Sequence, residues 1–354
     1  MGSMYGRLFR VATFGESHGP AVGVIVEGAP AGMQLTAKHI QDELDKRRPG
    51  LNVYVSQRTE DDAVEILSGV VDERTIGSPI AMIVRNTGQR SGDYKDIAHL
   101  FRPGHADYTY FKKYGIAPQP GGGRASGRET VGRVAAGAIA KRILAEHLGA
   151  QVAAYTIQIG SVKAKEIHAD YAGKHPLRCA DPSCAEAMEA EVKRVAAAGD
   201  SIGGVVEIIA TGVPAGLGDP VFEKLDALLA AALMSIGGVK GVEFGEGFGA
   251  VRMKGSEHND QMGTTGFLSN HAGGILGGIS TGQPIVMRTA VKPTASIAIH
   301  QKTIDVSGQS ADISVKGRHD PCLCPRIAAV AEAMTAIVLA DAWLVHNATT
   351  GIRK

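Results

Sequence analysis

Three short stretches of the chain combine proton-transfer groups with anion-binding groups. Gly121-Gly122-Gly123-Arg124-Ala125-Ser126-Gly127-Arg128-Glu129 leads a glycine-rich loop into a Ser-x-x-Glu spacing that predicts a capping box and a long helix behind it. Unpaired backbone N–H groups and the positive end of the helix dipole favour phosphate there, and Arg124 and Arg128 add charge. In Arg102-Pro-Gly-His105-Ala-Asp107 an arginine stands beside a protonatable imidazole in a turn, an arrangement suited to a departing phosphate. Gly15-Glu16-Ser17-His18-Gly19 directly follows a β-like run, placing His18 as an exposed general acid with Ser17 as its hydrogen-bond partner. Further arginines stand at Arg47-Arg48, at Arg58 and in Arg318-His319-Asp320-Pro321. Each alone would be a solvated surface charge. Arg102 and Arg318, set beside His and Asp, suit planar recognition of carboxylate or phosphate, and several arginines converging would suit a small polyanion.

Rival motifs fail on context. Gly15–Gly19 fits G-x-S-x-G, the nucleophile elbow of α/β-hydrolases, but Pro20 and a new β-like run follow where a helix should begin. Gly245-x-Gly247-x-x-Ala250 fits a loose dinucleotide fingerprint, yet Val251-Arg-Met-Lys254 reads as continuing strand. Cys179-x4-Cys184 and Cys322-x-Cys324 lack the paired spacing of structural zinc, so no metal site is predicted. Gly237-Gly238, His271–Gly278 and Lys292–Ser296 are candidates for close backbone approach to a flat ligand, or else tight turns between strands.

Composition bounds these readings. The chain has 354 residues, of which 46 are glycine, nearly twice the usual ~7%. The glycines cluster instead of recurring every third residue, which excludes collagen, and 44% apolar with 21% charged residues is the make-up of a folded protein. Lys plus Arg number 37 against 36 Asp plus Glu, so no global field holds nucleic acid or an anionic membrane, and anion binding must be local. Four cysteines in a chain of this size fit a reducing cytosol rather than a disulfide framework. No signal-peptide stretch opens the sequence, and Met1–Ser3 reads as an expression scar before a start at Met4. The uncharged run Gln261–Met287 is long enough to span a bilayer but is broken by Pro284 and many glycines, so a membrane helix is rejected there.

The elements that must position these groups follow from periodicity. Strands are predicted at Leu8–Thr13, Val22–Val26, Val64–Leu67, Ile80–Val84, Val152–Ile159, Val205–Ala210, Val239–Phe244 and Ile285–Val291. Helices are predicted at Ala37–Arg47 with Thr36 as N-cap, and at Arg128–Leu148, Ala185–Ala198, Val221–Met234 and Ile327–Val345. Their irregular alternation gives α+β rather than a doubly wound sheet. Gly23–Gly32 and Val206–Gly216 echo each other, each running from strand through Pro-Ala-Gly toward a helix containing Leu-Asp. Either a shared strand–turn–helix idiom or a duplicated unit with pseudo-symmetric halves accounts for it. With no linker between the halves, residues 1–354 are expected to form one domain.

Taken together, Phe14–Gly19, Gln57-Arg58, Phe101–Asp107, Gly121–Thr130, Asn270–Gly278, Lys292–Thr294 and Gly317–Cys322 resemble the chorismate synthase family over nearly the whole chain. The resemblance implies an anti-1,4-elimination of phosphate from 5-enolpyruvylshikimate 3-phosphate, giving chorismate and requiring reduced FMN without net redox. It implies that His105 protonates the departing phosphate, that His18 maintains the flavin's protonation state, that Asp320 assists the base, and that Ser17 and Ser126 support them. Arg48, Arg58, Arg102, Arg128 and Arg318 would hold the substrate's carboxylates and phosphate, with Arg47 in the same basic group. Flavin contacts would fall on Arg124, Ala125, Ser126, Gly237, Gly238, Gly277, Lys292, Pro293, Thr294, Ala295, Ser296 and Arg318. The implied fold is a β-α-β sandwich, helices between two sheet layers, in a cytoplasmic homotetramer. Val53 stands where many relatives carry a basic residue and the chain has no long insertion, which together favour an outside flavin reductase, with NADPH acting only indirectly.

Overall fold

The computed structural model describes residues 2–48, 50, 54, 61–87, 97–315 and 319–350. β1 (Met4–Tyr5), β2 (Arg10–Gly15), β3 (Ala21–Glu27), β4 (Val64–Ile66) and β5 (Ile80–Arg85) form an antiparallel sheet in the order β1-β2-β3-β5-β4. Alternation decides its faces: Val22, Val24 and Val26 are buried while Ile25 and Glu27 are exposed, the period of a half-covered strand. β6 (Gln151–Ile159), β7 (Val162–Lys163), β8 (Gly204–Thr211), β9 (Val239–Phe244) and β10 (Ile285–Val291) form the second antiparallel sheet, ordered β9-β10-β8-β6-β7.

Among the described residues, the helices of eight or more residues are α1 (Ala37–Asp45), α2 (Asp107–Tyr114), α3 (Thr130–Leu148), α4 (Ala185–Ala197), α5 (Leu225–Met234) and α6 (Cys324–Thr350). α3 packs against the first sheet, α6 against the second, and the two pack on each other. They are therefore the middle layer of a β-α-β sandwich, and one contiguous core joins both sheets. Every α6 residue from Ile327 to Asp341 is buried, as expected of a helix that is apolar all round. By length and composition alone α6 could cross a membrane, but here sheet and helix cover it. Gly137 lets the middle-layer helices approach closely, since a Cβ there would stand 2.5 Å from the Ala333 Cα.

The echo seen in sequence is a repeat of topology. β2-β3-α1-β4-β5-α3 and β6-β8-α5-β9-β10-α6 run in the same order, with matching spatial orders β2-β3-β5-β4 and β6-β8-β10-β9. The Pro-Ala-Gly turns are tied alike. Thr75 Oγ1 donates to the Pro30 carbonyl (2.6 Å) and accepts from Met33 N (3.0 Å); Ser280 Oγ donates to the Pro214 carbonyl (2.6 Å) and accepts from Leu217 N (2.9 Å). Thr75 and Ser280 each sit on the second strand of a small hairpin, Val70–Thr75 and Ile275–Ser280.

Several boundaries differ from the sequence reading for local reasons. α5 begins at Leu225 because Val221 adopts a φ of 55°, outside helical space. The expected strand at Val251–Lys254 is instead part of a 3-10 turn over Gly247–Arg252 and its exit, since Gly245 and Gly247 both turn at a φ of 53° and Arg288 holds the Gly245 carbonyl. The cap at Thr36 is as expected: its hydroxyl accepts from His39 N (3.3 Å) and the His39 ring accepts from Thr36 N (3.2 Å). The uncharged run Gln261–Met287 folds into short paired strands and the start of β10.

Candidate active site

A cleft of about 1550 Å³ opens where the glycine loop, the ends of the first sheet, the first turns of α3 and α6, and the loop after β10 meet. Gly121 and Gly122, at φ of 63° and 88°, lay bare main chain against two imidazoles. A Cβ on Gly121 would stand 2.2 Å from His18 Cε1 and 2.6 Å from Ser17 Oγ; one on Gly122 would stand 2.9 Å from His105 Cε1 and 3.1 Å from its Nε2. One loop thus packs both histidines at the cleft wall. Ser17 is buried beneath it and its Oγ lies 2.8 Å from His18 Nδ1. β3 follows instead of a helix, and the loop covers the hydroxyl, so no nucleophile elbow is present.

His105 is held from behind. Its Nδ1 lies 2.7 Å from Asp107 Oδ1, and Arg102 grips the same carboxylate through Nε (2.7 Å) and Nη2 (2.9 Å). Burial alone would raise the Asp107 pKa, but the hydrogen bonds from His105 and Arg102 hold it well below the usual carboxylate range. Arg102 Nη1 donates to Ser296 Oγ (3.2 Å), and Lys292 Nζ donates to the Gly104 carbonyl (2.5 Å), joining the His105 turn to the loop after β10. Burial, then the charge of Lys240, lowers the Lys292 pKa.

The capping box forms only in half. Ser126 Oγ accepts from Arg128 N (3.3 Å), but Glu129 turns to Thr13 Oγ1 (2.9 Å) and Arg133 Nε (2.9 Å) instead of back to Ser126. Gly127–Glu129 forms a 3-10 turn, so α3 starts at Thr130 rather than Arg128.

The arginines do more scaffolding than their spacing implied. Arg47, 1% exposed, donates to Asp62 Oδ2 (2.9 Å), Thr130 Oγ1 (3.1 Å) and the Gly127 carbonyl (3.1 Å). Burial and the nearby Arg326 charge push its pKa down to about 9, still cationic at neutral pH. Arg128 pairs with the same Asp62 and donates to Asn86 Oδ1 (2.9 Å). Arg124 straps the loop to β2 through the Thr13 hydroxyl (2.7 Å) and the Gly15 carbonyl (3.1 Å). Asp62, buried at a φ of 46°, is the hub that spacing did not reveal, because its partners lie 15 and 66 positions away.

The facing wall comes from the second half. Ile236, Leu323, Ile327 and Val330 give it an apolar surface beside Gly237 and Gly238. Nothing stands within 4 Å of a Cβ built on Gly237, so bare main chain meets the cleft there. Asp320 is buried, with its carboxylate accepting from Arg326 Nη1 (2.5 Å) and its carbonyl from Thr294 Oγ1 (2.7 Å). Arg326, in the first turn of α6 and six residues beyond Asp320, was unassigned from sequence, although helix-start placement offered a signal.

Of the residues singled out, the cleft gathers Ser17, His18, Arg47, Arg102, His105, Arg124–Ser126, Arg128, Gly237, Gly238, Lys292–Ser296 and Asp320. Arg48 is half-exposed beside Asp45 and is absent from the described wall. Gly277 lies at the hairpin by the start of α5, whereas Gly237 and Gly238 follow its end; a ten-residue helix separates the two by about 15 Å. Arg58, Arg318 and Val53 lie outside the described residues. All four cysteines are unpaired, and among the described residues no cluster has the make-up to hold a metal ion.

The family model described as Chorismate synthase matches residues 9–344. A solved structure titled "Crystal Structure of Chorismate Synthase" is 34% identical with a TM-score of 0.75, the match covering 96% of this chain and 92% of that one. With a family match of that extent and a cleft built from its motifs, the chain belongs to the chorismate synthase family of lyases.

Proposed function

We propose that this enzyme eliminates phosphate from 5-enolpyruvylshikimate 3-phosphate, breaking the C–O bond to phosphate and a distal ring C–H bond to give chorismate. The observation that carries the reading is that His18 and His105 press on adjacent glycines of one cationic loop in one cleft. The cleft also fits a flavin: the bare main chain at Gly237 and the apolar wall of Ile236, Leu323 and Ile327 suit a flat ring, and Lys292–Ser296 line its edge. Reduced FMN, when bound, supplies electron density to the allylic system without net redox.

This chain's residues then divide the proton work. His105, held at Nδ1, presents Nε2 to the departing phosphate as general acid. His18, with Nδ1 against Ser17 Oγ, holds a proton at the flavin side. Asp320, fixed by Arg326 and Thr294, supplies the negative charge that assists removal of the distal hydrogen. Family membership supports extending the reading to a cytoplasmic homotetramer, and Val53 together with the lack of a long insertion supports an outside, NADPH-dependent flavin reductase. Anaerobic phosphate release with chemically reduced FMN tests the reaction, and His105→Ala should lower kcat by roughly 10²–10⁴-fold. No release with substrate and flavin both bound would overturn the proposal.

A further inference from the structure

Resting on that reading of His105, we propose that Asp107 is a positioning residue that takes the His105 Nδ1–H, so that the proton to be transferred is carried on Nε2 at the cleft. Asp107 is buried, at 3% side-chain exposure, and occupies the first position of α2, where the helix dipole favours a carboxylate. Both of its oxygens are pinned: Oδ2 accepts from the Arg102 backbone N (3.2 Å) and Nε (2.7 Å), and Oδ1 from Arg102 Nη2 (2.9 Å). The carboxylate therefore cannot swing away from the imidazole.

The tautomer follows from donor counting. His105 Nδ1 lies 2.7 Å from Asp107 Oδ1 and 3.1 Å from Arg102 Nη2. An ionised carboxylate only accepts and a guanidinium only donates. With a proton on Nδ1, ring and guanidinium both donate to Oδ1. With a lone pair there, nitrogen and carboxylate lone pairs would face each other at 2.7 Å. The closer contact decides for Nδ1–H. Among the described residues, Arg102 and Asp107 on its own turn contact the ring, Lys292 from the loop after β10 reaches the Gly104 carbonyl of that turn, and Gly122 meets the ring with main chain.

The test is ¹⁵N-histidine NMR of the full chain, with His105 assigned by comparison with His105→Ala, alongside steady-state kinetics of Asp107→Asn. The neutral wild-type ring should show the Nδ1–H tautomer. Asp107→Asn should lose that preference and lower kcat by about 10²-fold, the scale of a general-acid contribution, with little change in KM. A wild-type Nε2–H tautomer refutes the proposal whether or not the variant folds. A folded Asp107→Asn protein with both tautomer and kcat unchanged refutes it as well. A changed tautomer with unchanged kcat would instead overturn the role given to His105 and leave the hold of Asp107 on it standing.

Discussion

Replacing Gly121 by alanine separates backbone strain from the contact that organises His18. Gly121 sits at a φ of 63°, and Gly149, the C-cap of α3, sits at 65°. Left-handed backbone costs a non-glycine residue about 1–2 kcal/mol at either place. The surroundings differ: nothing lies within 4 Å of a Cβ on Gly149, whereas one on Gly121 would clash with His18 Cε1 at 2.2 Å and crowd Ser17 Oγ at 2.6 Å. His18 must leave its rotamer, at about 0.5–1.5 kcal/mol, or the loop must move by about 1 Å, a misplacement that can cost 10²-fold in rate. Gly149→Ala should therefore lower Tm by a few degrees with kcat unchanged. Gly121→Ala should lower Tm slightly more and kcat by about 10²-fold, read as phosphate release under anaerobic conditions with reduced FMN. Equal kcat in the two variants would refute the claim that this contact places His18.

Two further outcomes concern the core. Glu332 is buried in α6, accepting from Lys141 Nζ (2.6 Å), Arg178 and Ala154 N (3.0 Å); burial would raise its pKa, but Lys141 and Arg178 bring it from 4.5 to about 2. The unfolded chain then binds the extra proton first, so this contribution is full above about pH 4.5 and is lost as pH falls toward 2. Glu332→Gln should cost about 3–5 kcal/mol at neutral pH and flatten the stability slope across that window; urea titrations giving a parallel slope would contradict it. Thr75→Val and Ser280→Ala each strip a turn of one buried and one part-buried hydrogen bond, at about 1–3 kcal/mol per variant. Acting in separate halves they should add to within about 0.5 kcal/mol, and a loss from one alone would break the equivalence of the turns.

Much of the architecture was legible because burial repeats with the period of each element. Val22, Val24 and Val26 show it in β3, and in α6 the mainly apolar stretch Ile327–Ala340, interrupted only by Glu332 and Thr335, marks a helix covered on all sides. Val221 was misread because its apolar side chain fits helical spacing while its backbone turns the other way. The duplication was visible only in part: Pro-Ala-Gly stood out, but Ser78-Pro-Ile80 and Gln283-Pro-Ile285, which enter the paired strands β5 and β10, carry the same signal. The histidines were legible because each stands in a turn beside its partner. Asp62 and Arg326 were not, because their meaning lies in which arginine or carboxylate long-range folding brings to them.

The same distinction bears on how a chain with a net charge of +1 would hold the polyanionic substrate proposed for it. Counting arginines suggested that the guanidinium groups themselves are the ligands. In the structure Arg47 and Arg128 meet Asp62, Arg102 meets Asp107, Arg326 meets Asp320, and Arg124 and Arg133 meet Glu129. Much of that charge is spent on holding loops. What the fold adds is geometric: the two halves deliver the first turns of their equivalent long helices, α3 and α6, to one cleft. Each helix start carries about half a positive charge, and the glycine loop adds main chain with no side chains in the way. Under the proposed function, because backbone dipoles cannot ionise or swing aside, the field that holds the anion is set by topology. The arginines keep the loops where that field is useful.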